Sequence, residues 1–115
     1  MREKLPDIRN GLTKRCMTCG FKYYVTVNFF EDKRPAEIFV AIAKEGSAVS
    51  GFIDSWCIAI SLAWQFGVPW EVLATKFIHQ KFEPSDDANP SLVHAITETT
   101  TQLITEYGKL NEPGF

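Results

Sequence analysis

A Gly46-Ser47 pair stands between a predicted strand and a predicted helix, with Lys44 just before it. The first amide groups of a helix lack partners within the helix, and the helix dipole makes that end electropositive. A phosphate can therefore bind there, with Lys44 adding positive charge. The alternative is structural, since Ser47 is a good helix cap and Gly46 eases the turn. No G-x-G-x-x-G or Walker pattern accompanies the pair.

Two carboxylates form a second candidate set. Glu37 lies inside an apolar strand, where an ionised group is costly unless it faces water or bonds to a donor. Asp54, on the polar side of the next helix, is placed to lie near it, and two carboxylates can perform acid-base chemistry. The alternative is an outer-face Glu and a solvated Asp. His79 and His94 are expected to be surface or loop-flanking residues and not a catalytic base, and no Ser-His-Asp or Cys-His set is legible.

Cys16 and Cys19 have the C-x-x-C spacing of half a zinc site or of a redox dithiol. Zinc requires two further ligands, which a second subunit can supply with its own pair. The alternative is two ordinary turn cysteines, and we expect no cofactor. With Cys57 the count is odd and no secretory signal precedes it, which indicates a reducing compartment.

A basic and aromatic stretch is a fourth candidate. Lys14, Arg15 and Lys22 stand near Tyr23 and Tyr24 on predicted strands. Such a strand face is suited to stacking a base, with Tyr24 as an aromatic contact. The alternative is solvated charges beside a core tyrosine.

These residues depend on a predicted hairpin and a third strand. Residues 13–16 predict a short strand, and residues 21–30 alternate so that Tyr23, Val25 and Val27 share a core face. Gly20 is free to adopt positive φ in the connecting turn. Residues 36–43 alternate again, which predicts an antiparallel partner. The first eleven residues predict an extended arm that docks Leu5 and Ile8 and ends in an Asn-Gly turn.

Three helices are predicted after Ser47. The first carries one wide apolar stripe that includes Phe52, Ile53 and Trp64. The second runs over about residues 70–81 after a Gly-Val-Pro break. The third starts with Asn89 as its cap and extends to about residue 109. Its many threonines lower its helix propensity, so packing must stabilise it.

Length and composition bound the architecture. A chain of 115 residues with 45% hydrophobic residues supports one core. We predict an α+β fold, with a small antiparallel sheet of two or three strands from the N-terminal half packed against about three helices. The expected divisions are an arm over residues 1–11, one domain over 12–110 and a tail over 111–115.

Charge and aromatic content bound the partners. A net charge of −2 gives no field for a polyanion, so nucleic acid is not an expected partner. No signal peptide or membrane span is legible, which indicates a cytoplasmic protein. An aromatic fraction of 13% is more apolar surface than one small core needs, so we expect a homo-oligomer.

The order of several segments carries a family resemblance. The chain reads LPDIRNGLTKRC, YYVTVNF, EIFV, GS and ISLAWQFGVPWEVLATKF between residues 5 and 81. In this it resembles the TSCPD domain, found near the C-terminus of adenosylcobalamin-dependent ribonucleotide reductases and in small free-standing proteins, including viral ones. The matching positions include residues 37–40, 46–47 and 60–63. The reductase barrel, its radical cysteine and its cobalamin pocket are absent from the sequence, so reductase catalysis is not implied.

The resemblance implies an accessory module of nucleotide metabolism. We expect a non-catalytic protein that binds, and by binding sequesters, a nucleotide-like ligand. Two alternatives stay open: an interaction or regulatory subunit of a ribonucleotide reductase, and a small enzyme that acts on a nucleotide. The expected ligand site consists of Lys44, Gly46, Ser47, Glu37, Asp54 and Tyr24.

Overall fold

The computed structural model describes residues 1–43 and 47–110. Its elements are β1 (Asn10–Thr18), β2 (Phe21–Phe29), β3 (Pro35–Ile42), α1 (Ala48–Gln65), α2 (Trp70–Phe77) and α3 (Leu92–Lys109). The strands form one antiparallel sheet in the order β1-β2-β3. The predicted α+β architecture, with the sheet in the N-terminal half and the helices in the C-terminal half, is confirmed.

Strand alternation gives the sheet an inner and an outer face. Tyr23, Val25 and Val27 are fully buried on the inner face, as the pattern predicts. The turn between β1 and β2 uses Gly20 at a φ of 81°, the conformation expected of it.

β1 is longer than the four residues predicted. Asn10 and Gly11 belong to the strand and do not form the expected turn, because Gly11 pairs directly with Asn28 of β2. A side chain at Gly11 would collide with the carbonyl oxygen of Val27. Glycine is therefore required here by close approach of the two strands.

Helices cover the inner face of the sheet. α3 packs on β1 and β2, and α1 packs on β3. Thr97 and Thr100 of α3 are fully buried, and the Thr100 hydroxyl donates to the Ile96 carbonyl at 2.7 Å. The threonine-rich helix is thus packed against the sheet, as expected of a helix with low intrinsic propensity.

Helix α1 also covers the outer edge of β3. One row of its side chains, spaced four residues apart, meets the backbone groups that point away from β2. Ser61 Oγ accepts from the Ile38 amide at 2.9 Å, and Gln65 Nε2 donates to the Ala36 carbonyl at 3.0 Å. The remaining pair is the Cys57 thiol with the backbone of Val40. This edge therefore has few free backbone groups with which to pair another strand.

The helices differ in detail from the prediction. Phe52 is 76% exposed, because the buried stripe of α1 is narrower than expected and runs through Ile53 and Trp64. α2 ends at Phe77, where positive φ at His79 follows. Ser91 caps α3 in place of Asn89, since its hydroxyl accepts from the His94 amide. None of the described helices has the length and apolar character needed to cross a membrane.

The arm before β1 lies against the edge of β3 and the end of α1. Arg2 Nε donates to Gln65 Oε1 at 2.6 Å, and the Glu3 carboxylate pairs with Arg34 at 2.9 Å. Leu5 is half-buried, as expected. Ile8 is 87% exposed, so its predicted docking is wrong, because the polar contacts of the arm hold it in place without that side chain.

Candidate functional site

The outer face of the sheet carries exposed side chains along its centre. Tyr24 of β2 is 49% exposed, and Phe39 of β3 is 54% exposed. They are diagonal neighbours, because Tyr24 pairs with Ala41 and Phe39 pairs with Thr26. The two ends of this face differ in charge.

The basic end of this outer face consists of Arg15, Lys22 and Tyr24. Arg15 lies directly opposite Tyr24 in the register of β1 and β2. All three line a shallow depression of about 330 Å³ together with Ala43. Within residues 1–43 and 47–110, neither Arg15 nor Lys22 has a carboxylate partner. The structure thus places two exposed cations beside an exposed aromatic ring.

The predicted anion site lies next along the chain. Lys44 and Gly46 are outside the described residues. Ser47 caps α1, because its hydroxyl accepts from the Ser50 amide at 3.1 Å. Ala43, which lines the basic end, immediately precedes this segment. The capping role of Ser47 is thus observed, and anion binding by the three residues stays a prediction.

At the opposite end of the outer face, Glu37 is buried by its neighbours. The side chain points to the outer face, yet the residue is only 7% exposed. Arg9 Nη1 donates to both carboxylate oxygens, at 2.8 and 2.7 Å, and Asn28 Nδ2 donates to Oε1 at 2.8 Å. The charge is therefore paired with a cation from the arm, and Glu37 is not the exposed residue of the structural alternative.

Asp54 is exposed on α1 and lines a groove between β3 and α1. Glu37 lines the same groove, whose volume is about 520 Å³. The two carboxylates therefore line one groove, and their predicted proximity stays a prediction. They do not form an acid-base pair in the described structure, because the Glu37 oxygens bond to Arg9 and Asn28.

The apolar wall of this groove includes Phe39, Ile58 and Leu62, which are 54%, 63% and 38% exposed. Phe39 projects from the sheet, and Ile58 and Leu62 stand one turn apart on α1. They form a continuous apolar surface next to the covered edge of β3.

Cys16 and Cys19 are buried around the Tyr23 hydroxyl. Burial raises the pKa of Tyr23 to about 12, and burial together with the nearby Asp86 carboxylate raises the pKa of the Cys19 thiol. Within the part of the chain that the structure describes, no three His, Cys, Asp or Glu side chains are grouped to hold a metal. A site shared between subunits, as the C-x-x-C spacing allows, stays a prediction.

The two histidines differ in exposure. His79 is exposed, as predicted, but His94 is only 5% exposed. Its Nδ1 accepts from the His79 amide at 2.7 Å, and its Nε2 lies 2.7 Å from the Glu98 carboxylate. His94 flanks the loop before α3, as predicted, but it is not at the surface, because the end of α2 folds over it. Both ring nitrogens are engaged, which makes His94 a structural link between α2 and α3.

The sequence did not indicate the hydrogen-bond partners of Glu37 and of the β3 edge. Arg9 forms an ion pair with Glu37, Asn28 donates a hydrogen bond to it, and Ser61 and Gln65 bond to the edge of β3 at Ile38 and Ala36. The spacing of Cys57, Ser61 and Gln65 beside an apolar stripe is a signal that could have indicated a polar row on α1. No comparable signal marks Arg9, whose partner is 28 residues away.

Fold and surface together define a small α+β domain, with an exposed outer sheet face and a buried carboxylate that is paired with Arg9. The model of the TSCPD domain family matches residues 2–103. The chain belongs to this family, and the resemblance drawn from its segments is confirmed.

Curated relatives agree with this assignment. The chain is 47% identical over 83 residues to the vitamin B12-dependent ribonucleotide reductase of Rhodopirellula baltica, covering 72% of this chain and 8% of that protein. The reductase of the same description from Bradyrhizobium diazoefficiens is 38% identical over 96 residues, covering 82% of this chain and 8% of its own length. The one from Streptantibioticus cattleyicolor is 34% identical over 101 residues, covering 85% of this chain and 17% of its own length. The chain thus spans less than a fifth of each of these relatives. No solved structure matches it.

Proposed function

We propose that this chain is a non-catalytic accessory module that binds a phosphorylated, nucleotide-like ligand at the basic end of the outer face. The observation that carries the proposal is the placement of Arg15 and Lys22, without described carboxylate partners, beside the exposed ring of Tyr24. Cations of this kind bind phosphate oxygens, and an aromatic ring stacks on a base.

The start of α1 supplies the remaining part of the proposed site. Lys44 follows Ala43 directly in sequence, Gly46 comes two residues later, and Ser47 caps the helix. Free amides at a helix start add donors for a phosphate that Arg15 and Lys22 attract. The module would thus hold a phosphate between strand cations and the helix start, with the base over Tyr24.

The state of Glu37 supports binding without turnover. This carboxylate is one of the two acid-base candidates in the sequence, and its oxygens accept hydrogen bonds from Arg9 and Asn28. Glu37 also pairs with Asn28, four residues along β2 from Tyr24, so it is not placed to take a proton from a ligand on that ring. The relatives are ribonucleotide reductases, which favours a nucleotide as the ligand class.

Calorimetric titration with ADP, dATP and inorganic pyrophosphate tests the proposal. Wild-type protein is compared with the double variant Arg15→Ala/Lys22→Ala. The double variant Lys76→Ala/Lys81→Ala is the control, because it removes the same charge from exposed positions elsewhere. We expect the first double variant to lose about tenfold or more in affinity, and the control to bind like wild type. Absence of binding at millimolar ligand, or equal losses in both variants, would contradict the proposal.

A second function is supported by the groove between β3 and α1. Its wall of Phe39, Ile58 and Leu62 is apolar and exposed, which is typical of a protein-docking surface. In this version the module docks on a reductase polypeptide and regulates it.

The docking function is tested with the R. baltica reductase truncated before its own homologous region. We expect wild-type protein and Ser47→Ala to bind the truncated reductase, and Ile58→Asp to bind at least about tenfold more weakly. Equal binding by Ile58→Asp would exclude the groove as the docking surface.

A further inference from the structure

The two edges of the sheet differ in how their backbone groups are satisfied. In β3 the Ile38 amide points away from β2, because it donates to Ser61 of α1. Backbone groups alternate in direction along an antiparallel strand, so the odd-numbered residues of β3 bond to β2. Their partners are the even-numbered residues of β2, which leaves the odd-numbered residues of β2 to bond to β1. The partners of those residues are in turn the even-numbered residues of β1. It follows that Gly11, Thr13, Arg15 and Met17 of β1 direct their amides and carbonyls outward.

These outward groups of β1 have no observed partner. Among residues 1–43 and 47–110, β1 pairs only with β2, and no backbone group outside the sheet bonds to residues 10–18. Gly11, Thr13, Arg15 and Met17 are all exposed. An unpaired edge of nine residues is a template for another strand.

We propose that β1 pairs in antiparallel fashion with β1 of a second copy of this chain, centred on Thr13. The pairing joins two sheets of three strands into one continuous sheet of six. Three pairs of outward residues, Thr13 with Thr13 and Gly11 with Arg15 twice, would exchange about six hydrogen bonds.

Charge selects this register among those that a two-fold axis allows. An axis at Lys14 or at Arg15 would place that cation opposite its own copy, which is unfavourable. An axis at Leu12 would oppose Arg9 to Arg15. An axis at Thr13 places no two like charges directly opposite each other, keeps seven residues of each strand paired, and opposes the long Arg15 to Gly11, which has no side chain.

The register also leaves the proposed ligand residues accessible. Arg15 and Tyr24 project from the outer face, whereas the new hydrogen bonds lie in the plane of the sheet. The inference therefore stands independently of whether a nucleotide binds.

Cysteine cross-linking tests both the pairing and its register. In the proposed dimer, the Cα atoms of the two Thr13 residues are about 5.5 Å apart, within the range a disulfide spans. The two Arg15 residues would be about 14 Å apart, beyond that range. The native cysteines are buried, so they contribute little background.

In a glutathione redox buffer we expect Thr13→Cys to form covalent dimer about tenfold faster than Arg15→Cys. Equal rates, or faster linkage of Arg15→Cys, would overturn the register and with it the proposal.

A second measurement does not need a cross-link. Thr13→Pro removes an outward amide at an edge position, which an edge strand tolerates, while Thr13→Val keeps it. Sedimentation equilibrium at about 0.5 mM protein, where a weak interface of this size is populated, should show dimer for wild type and Thr13→Val. Thr13→Pro should be at least tenfold weaker in self-association, once circular dichroism shows that it is folded. A monomeric wild type at that concentration would refute the proposal.

Discussion

The two ends of the outer sheet face carry charges of opposite sign, and these charges differ in burial and in pairing. Glu37 at one end is buried and bonded to Arg9 and Asn28, whereas Arg15 and Lys22 at the other end are exposed and have no described carboxylate partner. A neutralised charge contributes to the fold, while an unpaired one is available to a ligand. This difference locates the proposed function at the basic end.

The largest expected effect is a loss of stability when Gly11, which packs against Val27 and Asn28 near Glu37, is given a side chain. Gly11→Ala places a methyl group against the Val27 carbonyl and against Asn28, the amide donor to Glu37. Unfolding in urea should show a loss of about 3 kcal/mol. Gly51→Ala is the control, because Gly51 lies in α1 with open space around it and should gain up to about 1 kcal/mol. Similar small changes for both variants would mean that β1 and β2 approach less closely than described.

Two arginines on this face compare the ends directly. Arg9→Ala leaves the Glu37 carboxylate buried with only Asn28 as donor, and should destabilise the protein by about 2 kcal/mol. Arg15→Ala removes an exposed cation and should change stability by less than about 0.5 kcal/mol. Chemical denaturation of both variants checks this. A larger loss for Arg15→Ala would reverse the structural and functional assignments.

The fold was largely predictable from the sequence, and the state of the charges was not. Alternation over residues 21–30 and 36–43 and the helical stripe after Ser47 are local patterns, and they correctly placed Tyr23, Val25 and Ile53 in the core. The partner of Glu37 comes from an arm 28 residues earlier, and the His94 contact comes from the end of another helix. Such contacts depend on tertiary packing, for which single-sequence patterns carry no signal.

The next largest effect is on ADP binding, and it tests whether the ring of Tyr24 stacks on the base. Tyr24→Ala removes the stacking surface and should weaken ADP binding by about tenfold. Tyr24→Phe keeps the ring and should bind like wild type. Because Tyr24 is half-exposed, the stability change for Tyr24→Ala should be about 1 kcal/mol or less. Calorimetry on both variants measures the difference, and equal affinities would exclude stacking.

A smaller effect concerns the carboxylate next to the turn that joins β1 and β2. The Cys19 amide donates to Asp86 at 2.6 Å and, with the Asn89 and Ala88 groups, lowers the pKa of Asp86. Because the pKa of Asp86 is lower in the folded than in the unfolded protein, its carboxylate stabilises the fold fully at a pH above the unfolded-state pKa. This stabilisation is lost as the pH falls through the folded-state pKa. In NMR spectra recorded over a pH series, the chemical shift of the Cys19 amide should therefore titrate with a midpoint below the pKa of an ordinary aspartate. The variant Asp86→Asn should abolish this titration. A midpoint at the ordinary value would contradict the contact.

The smallest expected effect is on metal content. We propose that Cys16 and Cys19 act as buried structural thiols, since both surround the Tyr23 hydroxyl and the pKa of Cys19 is raised. Metal analysis of purified protein should find well below about one zinc per two chains. A ratio at or above that value would indicate a tetrahedral site shared between subunits.

Mapping of amide chemical shifts during titration with ADP tests the central claim most directly, because both ends of the outer face are observed in one experiment. The account predicts saturable shifts centred on Arg15, Lys22 and Tyr24, with little change at Asn28 and Glu37. Shifts centred on Glu37 and on Asp54 in the groove, or no saturable shift at millimolar ADP, would contradict it.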